Sequence, residues 1–191
     1  VELDDTQNSA ADLCISCLGA LRDLACGIAL NRNRMREFGT NDGVSGMKLI
    51  TSYIERYRDI LWKDLCPNVH LRLLSQAVGV LRNVTHSTPS NCKQLYQLGV
   101  SKLLTWRLLH AEGIESRNLP ASSQPWRECA FRSAGTLINM AEKCQECANE
   151  CASNPVLVQL LIESWGGSNK HLAVVHLGLV AILEAVRDRL P

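Results

Sequence analysis

Gly79-Val80-Leu81-Arg82-Asn83-Val84-Thr85 closes a helical stretch near the middle of the chain, and the phrase returns twice, as Gly19-Ala20-Leu21-Arg22-Asp23-Leu24-Ala25 and Gly135-Thr136-Leu137-Ile138-Asn139-Met140-Ala141. Each copy carries Gly, then Leu two residues on, then Asn or Asp four residues on, then an apolar residue. A glycine inside a helix costs about 1 kcal/mol relative to alanine. Its return in one register points to a purpose: another helix passes so close that a side chain would clash. A degenerate fourth copy, Gly178-Leu179-Val180-Ala181-Ile182-Leu183, has Ile182 in place of the asparagine. A terminal unit that departs from the pattern is what an end cap looks like, since it lacks a neighbour on one side.

The residues C-terminal to each phrase repeat as well. After the first copy come Asn33, Met35, Phe38-Gly39, Gly43-Val44-Ser45 and Met47; after the second come Asn91, Leu95, Leu98, Gly99-Val100-Ser101 and Leu103. The third copy is looser, running through Asn149 to Asn154-Pro155-Val156. The phrase glycines are separated by 60, 56 and 43 residues. The last spacing fits a repeat of about 40–47 residues, the range of armadillo and HEAT units, and the longer two require insertions. One insertion lengthens the helix around Tyr53 to Trp62; the other is Glu112 to Pro125, a breaker-rich surface loop with Gly113, Pro120 and Pro125. Apolar periodicity predicts helices over residues 9–29, 43–63, 69–86, 99–111, 126–144, 154–165 and 169–189, with short ones near 33–38 and 90–98.

On these residues the chain resembles the armadillo-repeat family, whose long third helices end in Leu-x-Asn-apolar-Ser/Ala. Leu81-Arg82-Asn83-Val84-Thr85 and Leu137-Ile138-Asn139-Met140-Ala141 are similar to that ending as it occurs in the catenin and adenomatous polyposis coli branches. The resemblance implies an all-α fold: a right-handed armadillo/HEAT-type helical solenoid of about three repeats plus a C-terminal cap helix. It would form one domain over residues 1–191, expected to be a piece of a longer protein. It also implies that the third helices line a concave groove in which the recurring asparagine grips the backbone of an extended ligand. That role falls on Asn83 and Asn139, with Asp23 at the equivalent place. Importin-type repeats put Trp four residues before the asparagine; Gly19, Gly79 and Gly135 stand there instead, which argues against an Asn–Trp array for nuclear-localisation peptides.

The residue types support the assignment independently. Asparagine is a mediocre helix former because its amide competes for backbone hydrogen bonds, so two in register suggest a designated partner. A side-chain amide offers donor and acceptor together, matching one peptide unit of an extended strand. Equally, each amide could tie its helix to an adjacent turn of the same protein, and the two readings are compatible. One turn away lie further candidates: Gln76 and His86 beside Asn83, Arg132 and Lys143 beside Asn139. Arg22 and Arg82 are expected at a rim. Such a groove would accept a polar or modestly acidic segment, although any one of these residues could simply belong to a solvated helix face.

The remaining totals exclude more than they assign. A net charge of +1 gives no general case for nucleic acid or an anionic membrane surface, and no run approaches the roughly 18 apolar residues of a membrane-crossing helix. Nine cysteines, an odd number and several inside apolar helical patterns, fit a reducing intracellular compartment, cytoplasmic or nuclear, better than a disulfide framework. Cys144, Cys147 and Cys151 could align three thiols on one helical face, a weak candidate for metal or redox chemistry that lacks a fourth ligand. Asn83-Val84-Thr85 matches the glycosylation sequon inside a helix, where a chance match is the better reading. Trp106 and Trp165 suit packing, whereas Trp62 and Trp126 border the insertions and could anchor a partner. No phosphate loop, dinucleotide turn or nucleophile elbow is present. No enzyme activity and no cofactor are expected. The reading is a protein–protein scaffold or adaptor, with self-assembly or packing on other parts of its own chain as the alternative.

Overall fold

Apolar residues in the stretch 68–85 occupy two faces rather than one: Leu71, Leu74, Val78 and Leu81 on one side, Leu73, Ala77, Val80 and Val84 on another, all buried. A helix apolar on more than one side needs covering on more than one side, and among the described residues this helix is the central one. The computed structural model describes residues 5–37, 39, 43–58, 68–105 and 124–154. In chain order they form α1 (Asp5–Ala25), α2 (Ala29–Glu37), α3 (Gly46–Arg58), α4 (Asn68–Thr85), α5 (Pro89–Gln97), α6 (residues 100–105), α7 (Gln124–Lys143) and α8 (Gln145–Ala152). The described residues are all-α; their only ladder pairing is an isolated bridge between Gly39 and Ser45.

The three phrase-bearing helices lie side by side in the order α1, α4, α7. They run parallel. Asp12 meets Arg72 at 3.7 Å and, further along both helices, Asn83 meets the Arg22 carbonyl at 2.8 Å. Ser75 meets Arg132 and Arg82 meets Asn139 in the same sense. The shorter helices form a second row. Arg32 of α2 reaches Thr88 at the start of α5, and Ser101 of α6 donates to Glu150 of α8 at 3.2 Å. One continuous core joins the rows, from Met47, Ile50 and Ile54 of α3 through α4 to Leu137 and Met140 of α7 and Cys147 and Cys151 of α8.

The turns reproduce the repeat. Gly43 and Gly99, each opening a Gly-Val-Ser stretch, both take φ near +75° (75° and 76°), a left-handed conformation that favours glycine. Gly39 is needed for a different reason: the Val44 carbonyl occupies the place its Cβ would take.

Several expectations shift. The first helix stops at Ala25, because Gly27 at φ 75° turns the chain, and the short helix expected near 33–38 begins at Ala29. Pro125, assigned to the surface loop, lies in the first turn of α7, where proline's missing N–H costs nothing. The largest departure is α8. The chain leaves the helix at Cys144 (φ −134°, ψ 107°) and restarts at Gln145, so the cysteine-rich stretch is itself a helix. The expected helices 154–165 and 169–189, the fourth phrase with its cap, loop residues 112–123, and Trp62, Trp106 and Trp165 lie outside the described residues.

Leu81 is fully buried, whereas Leu21, at the same place in the first phrase, is 36% exposed. Leu81→Ala should therefore cost about 2–5 kcal/mol and Leu21→Ala about 1 kcal/mol or less. Urea unfolding followed by circular dichroism would measure both.

Candidate partner-binding face

The phrase glycines do mark a close approach, but what approaches is a side chain. A Cβ on Gly135 would stand 2.7 Å from Nε and 3.1 Å from Cδ of Arg82. On Gly79 it would stand 3.1 Å from Cδ of Arg22 and 3.1 Å from Nη1 of Arg132. Arg22 and Arg82 are thus laid across the glycine of the next helix, which corrects their expected place at a rim. Gly19 has nothing within 4 Å.

Around Gly79 the arginines converge on one amide. Gln76 Oε1 accepts from Arg22 Nη1 at 2.7 Å and from Arg132 Nη1 at 3.3 Å. Arg132 also donates to the Ser75 carbonyl at 2.9 Å and to Glu128 at 3.2 Å, while Arg22 donates to Asp23 at 2.8 Å. Burial lowers the Arg132 pKa from its ordinary value; the Glu128 carboxylate opposes that shift and the charges of Arg22 and Arg82 add to it. Gln76 thus lets two like charges approach by presenting each with the same negative dipole.

The two asparagines behave alike. Asn83 Nδ2 donates to the Arg22 carbonyl at 2.8 Å; Asn139 Nδ2 donates to the Arg82 carbonyl at 3.0 Å and to Thr85 Oγ1 at 3.1 Å. Because a carbonyl can only accept, the nitrogen end of each amide faces the stack. Both residues are half-buried, and the oxygen end of each is open to solvent and accepts no hydrogen bond among the described residues. The Asn83 nitrogen is therefore engaged inside the protein and Thr85, two residues on, is fully buried, an arrangement ill suited to a glycosylation site.

The other candidates sit apart. Asp23 makes no bond to a neighbouring helix among the described residues; its carboxylate pairs with the adjacent Arg22. His86 is exposed in the turn after α4, with its backbone N–H on the Asn83 carbonyl. Lys143 ends α7 paired with Glu142 at 2.7 Å. The sequence pattern sets Asn33 opposite Asn91, but the structural match is Asn31. Asn31 Nδ2 donates to the Leu24 carbonyl at 2.7 Å and Asn91 Nδ2 to the Val84 carbonyl at 2.8 Å, each seven residues back. Sequence reading also misses Phe131, which carries the Arg82 guanidinium 4.6 Å above its ring. An aromatic one turn before a phrase glycine is the available signal.

The cysteines take unlike environments. Cys144 precedes α8, and Cys147 and Cys151 lie on its buried face. Among the described residues no group of three or more His, Cys, Asp or Glu side chains could hold a metal ion. Burial pushes Cys92 up to about 12 and raises Cys144. A hydrogen bond shared with Cys151 raises Cys147 and lowers Cys151.

No protein-family model, curated protein or solved structure matches the chain. No helix among the described residues is long and apolar enough to cross a membrane.

Asn83→Ala and Asn139→Ala should each lower stability by about 1 kcal/mol through loss of a bond between helices, measurable by urea titration. A second outcome concerns the thiols. The thiolate is the reactive form and a raised pKa leaves less of it at pH 8. Alkylation of the native protein at that pH, mapped by mass spectrometry, should label exposed Cys14, Cys17 and Cys26 and spare Cys92, Cys144 and Cys147 until denaturant is added.

Proposed function

We propose that the chain is an armadillo-type solenoid segment whose role is binding rather than catalysis: a scaffold or adaptor that holds a segment of another protein along the face of α1, α4 and α7. The observation that carries this reading is the pair of open amide oxygens on Asn83 and Asn139. Joining two helices uses only the nitrogen end of each amide, which leaves the solvent-facing oxygen available as an acceptor. An extended backbone offers N–H groups that match these acceptors. All eight described cysteines are free thiols, in keeping with the intracellular setting proposed for it.

A second reading has its own support. Leu13, Leu24, Ile28 and Leu30 are 53–65% exposed, whereas Leu73 and Val84, matching Leu13 and Leu24 in the second unit, are buried. Four large apolar side chains left exposed from α1 to the start of α2 favour an interaction surface, and self-association through the α1 edge would cover them. Sedimentation of the chain decides: a monomer at every concentration counts against self-association.

The binding reading is tested with Asn83→Ala and Asn139→Ala combined, using Lys48→Glu on exposed α3 surface as the control. Partner recovery in pull-downs should fall about tenfold in the folded double variant, equivalent to roughly 1.4 kcal/mol, and stay unchanged in the control. Undiminished recovery by a double variant that circular dichroism shows to be folded removes the proposal.

A further inference from the structure

Among the described residues, Arg82 is the one arginine of the face with its charge uncommitted. Arg22 and Arg132 each hold a carboxylate, Asp23 and Glu128, and share Gln76. Arg82 forms no side-chain hydrogen bond or ion pair among the described residues. It is nevertheless held in place. Its guanidinium stacks on Phe131 at 4.6 Å, and its Nε and Cδ lie against Gly135 where a Cβ would stand. Stacking fixes the plane of a guanidinium and leaves its N–H edge free, so little freedom is lost when that edge takes an anion. The surroundings favour an anion as well, with three guanidiniums set against two carboxylates that are already engaged. Asn139 donates to the Arg82 carbonyl, so its open acceptor lies on the α4–α7 seam that the Arg82 side chain crosses, while Asn83, next to Arg82 in the chain, lies on the α1–α4 seam.

Resting on the binding reading above, we propose that Arg82 is the specificity-determining residue of this face and that the partner segment is an acidic peptide. Its backbone N–H groups meet the Asn83 and Asn139 oxygens while one of its Asp or Glu carboxylates pairs with Arg82. Phe131 and Gly135 are the positioning residues.

The probe is a fluorescein-labelled ten-residue peptide of alternating Glu and Ser, followed by anisotropy with the whole chain. One control carries Gln for Glu, and a second carries a single phosphoserine in the Gln background. The Glu peptide should bind about tenfold more tightly than the Gln peptide, as expected for one charge-assisted pair, with the advantage shrinking as salt screens it. Arg82→Gln should remove the advantage. Gly135→Ala should remove it too, because the new methyl displaces Arg82 while alanine favours the helix; circular dichroism confirms the fold. Equal binding of Glu and Gln peptides, or full Glu-peptide affinity in Arg82→Gln, overturns the proposal. Capture of the phosphoserine peptide alone overturns the carboxylate in favour of a phosphoryl group. If pull-downs fail with the double asparagine variant yet survive Arg82→Gln, the binding face stands and the acidic-peptide assignment falls. If they survive both variants, the face itself falls.

Discussion

An arginine lying across a glycine of the next helix sets how α1, α4 and α7 sit together. Glycine removes the Cβ that would hold the neighbour away, and the arginine stem fills the space with methylenes while its head reaches polar partners beyond. The asparagine four residues later fixes the helices along their length by binding one particular carbonyl. Lateral spacing and axial register are thus controlled by different residues of one short phrase. Arg132 reaches Gly79 from α7 as Arg22 does from α1, so two guanidiniums meet at Gln76.

The second row solves a different problem. The last carbonyls of a helix have no partner within it, and buried ones must find donors elsewhere. Side chains seven residues further on supply them. Asn31 and Arg32 serve Leu24 and Ala25 at the end of α1; Asn91 and the Cys92 thiol serve Val84 and Thr85 at the end of α4. In the third unit the place of Asn31 and Asn91 is held by Cys147. A thiol is a weak donor and a small apolar group, so the change replaces a polar tie with core packing against Cys151. Part of the high cysteine content is therefore core packing in the second row.

The repeat and its glycines were legible in the sequence because periodicity along a helix is encoded one residue at a time. The asparagines stood out for the same reason. Which end of each amide turns inward was not legible, since that depends on whether the neighbouring helix offers a carbonyl or an N–H. The rim position expected for Arg22 and Arg82 failed because a long side chain crosses to the next helix, and distance along the chain says nothing about that reach. The helix expected over 126–144 ends within one residue of the break at Cys144, but α8 itself escaped, because only Cys147, Ala148 and Cys151 of its eight residues are buried, too few for a clear apolar period. Counting from the phrase as a whole matches Asn33 to Asn91, whereas the working count runs from the particular carbonyl that needs a donor.

Each phrase has a receiving half, the glycine and the asparagine, and a giving half, the arginine with its carbonyl. In α1 only the giving half is used: Arg22 serves α4 twice, while Gly19 is empty and Asp23, which cannot donate to a carbonyl, pairs within its own helix. In α4 both halves work. In α7 the receiving half works, but Ile138 replaces the arginine, so α7 has no guanidinium to lay on a following glycine. One unit later in the sequence Ile182 replaces the asparagine as well. The arginine is thus lost one copy before the asparagine, while the glycine persists as Gly178. Arg82 is then the last arginine of the series, and it differs from Arg22 in resting on an aromatic ring instead of a carboxylate. A residue needed only to fill the space over Gly135 could have kept an acidic neighbour as Arg22 does. Without one, the Arg82 charge rests against Phe131 and Gly135 with no carboxylate among the described residues to neutralise it, on the seam that Asn139 ties from the other helix.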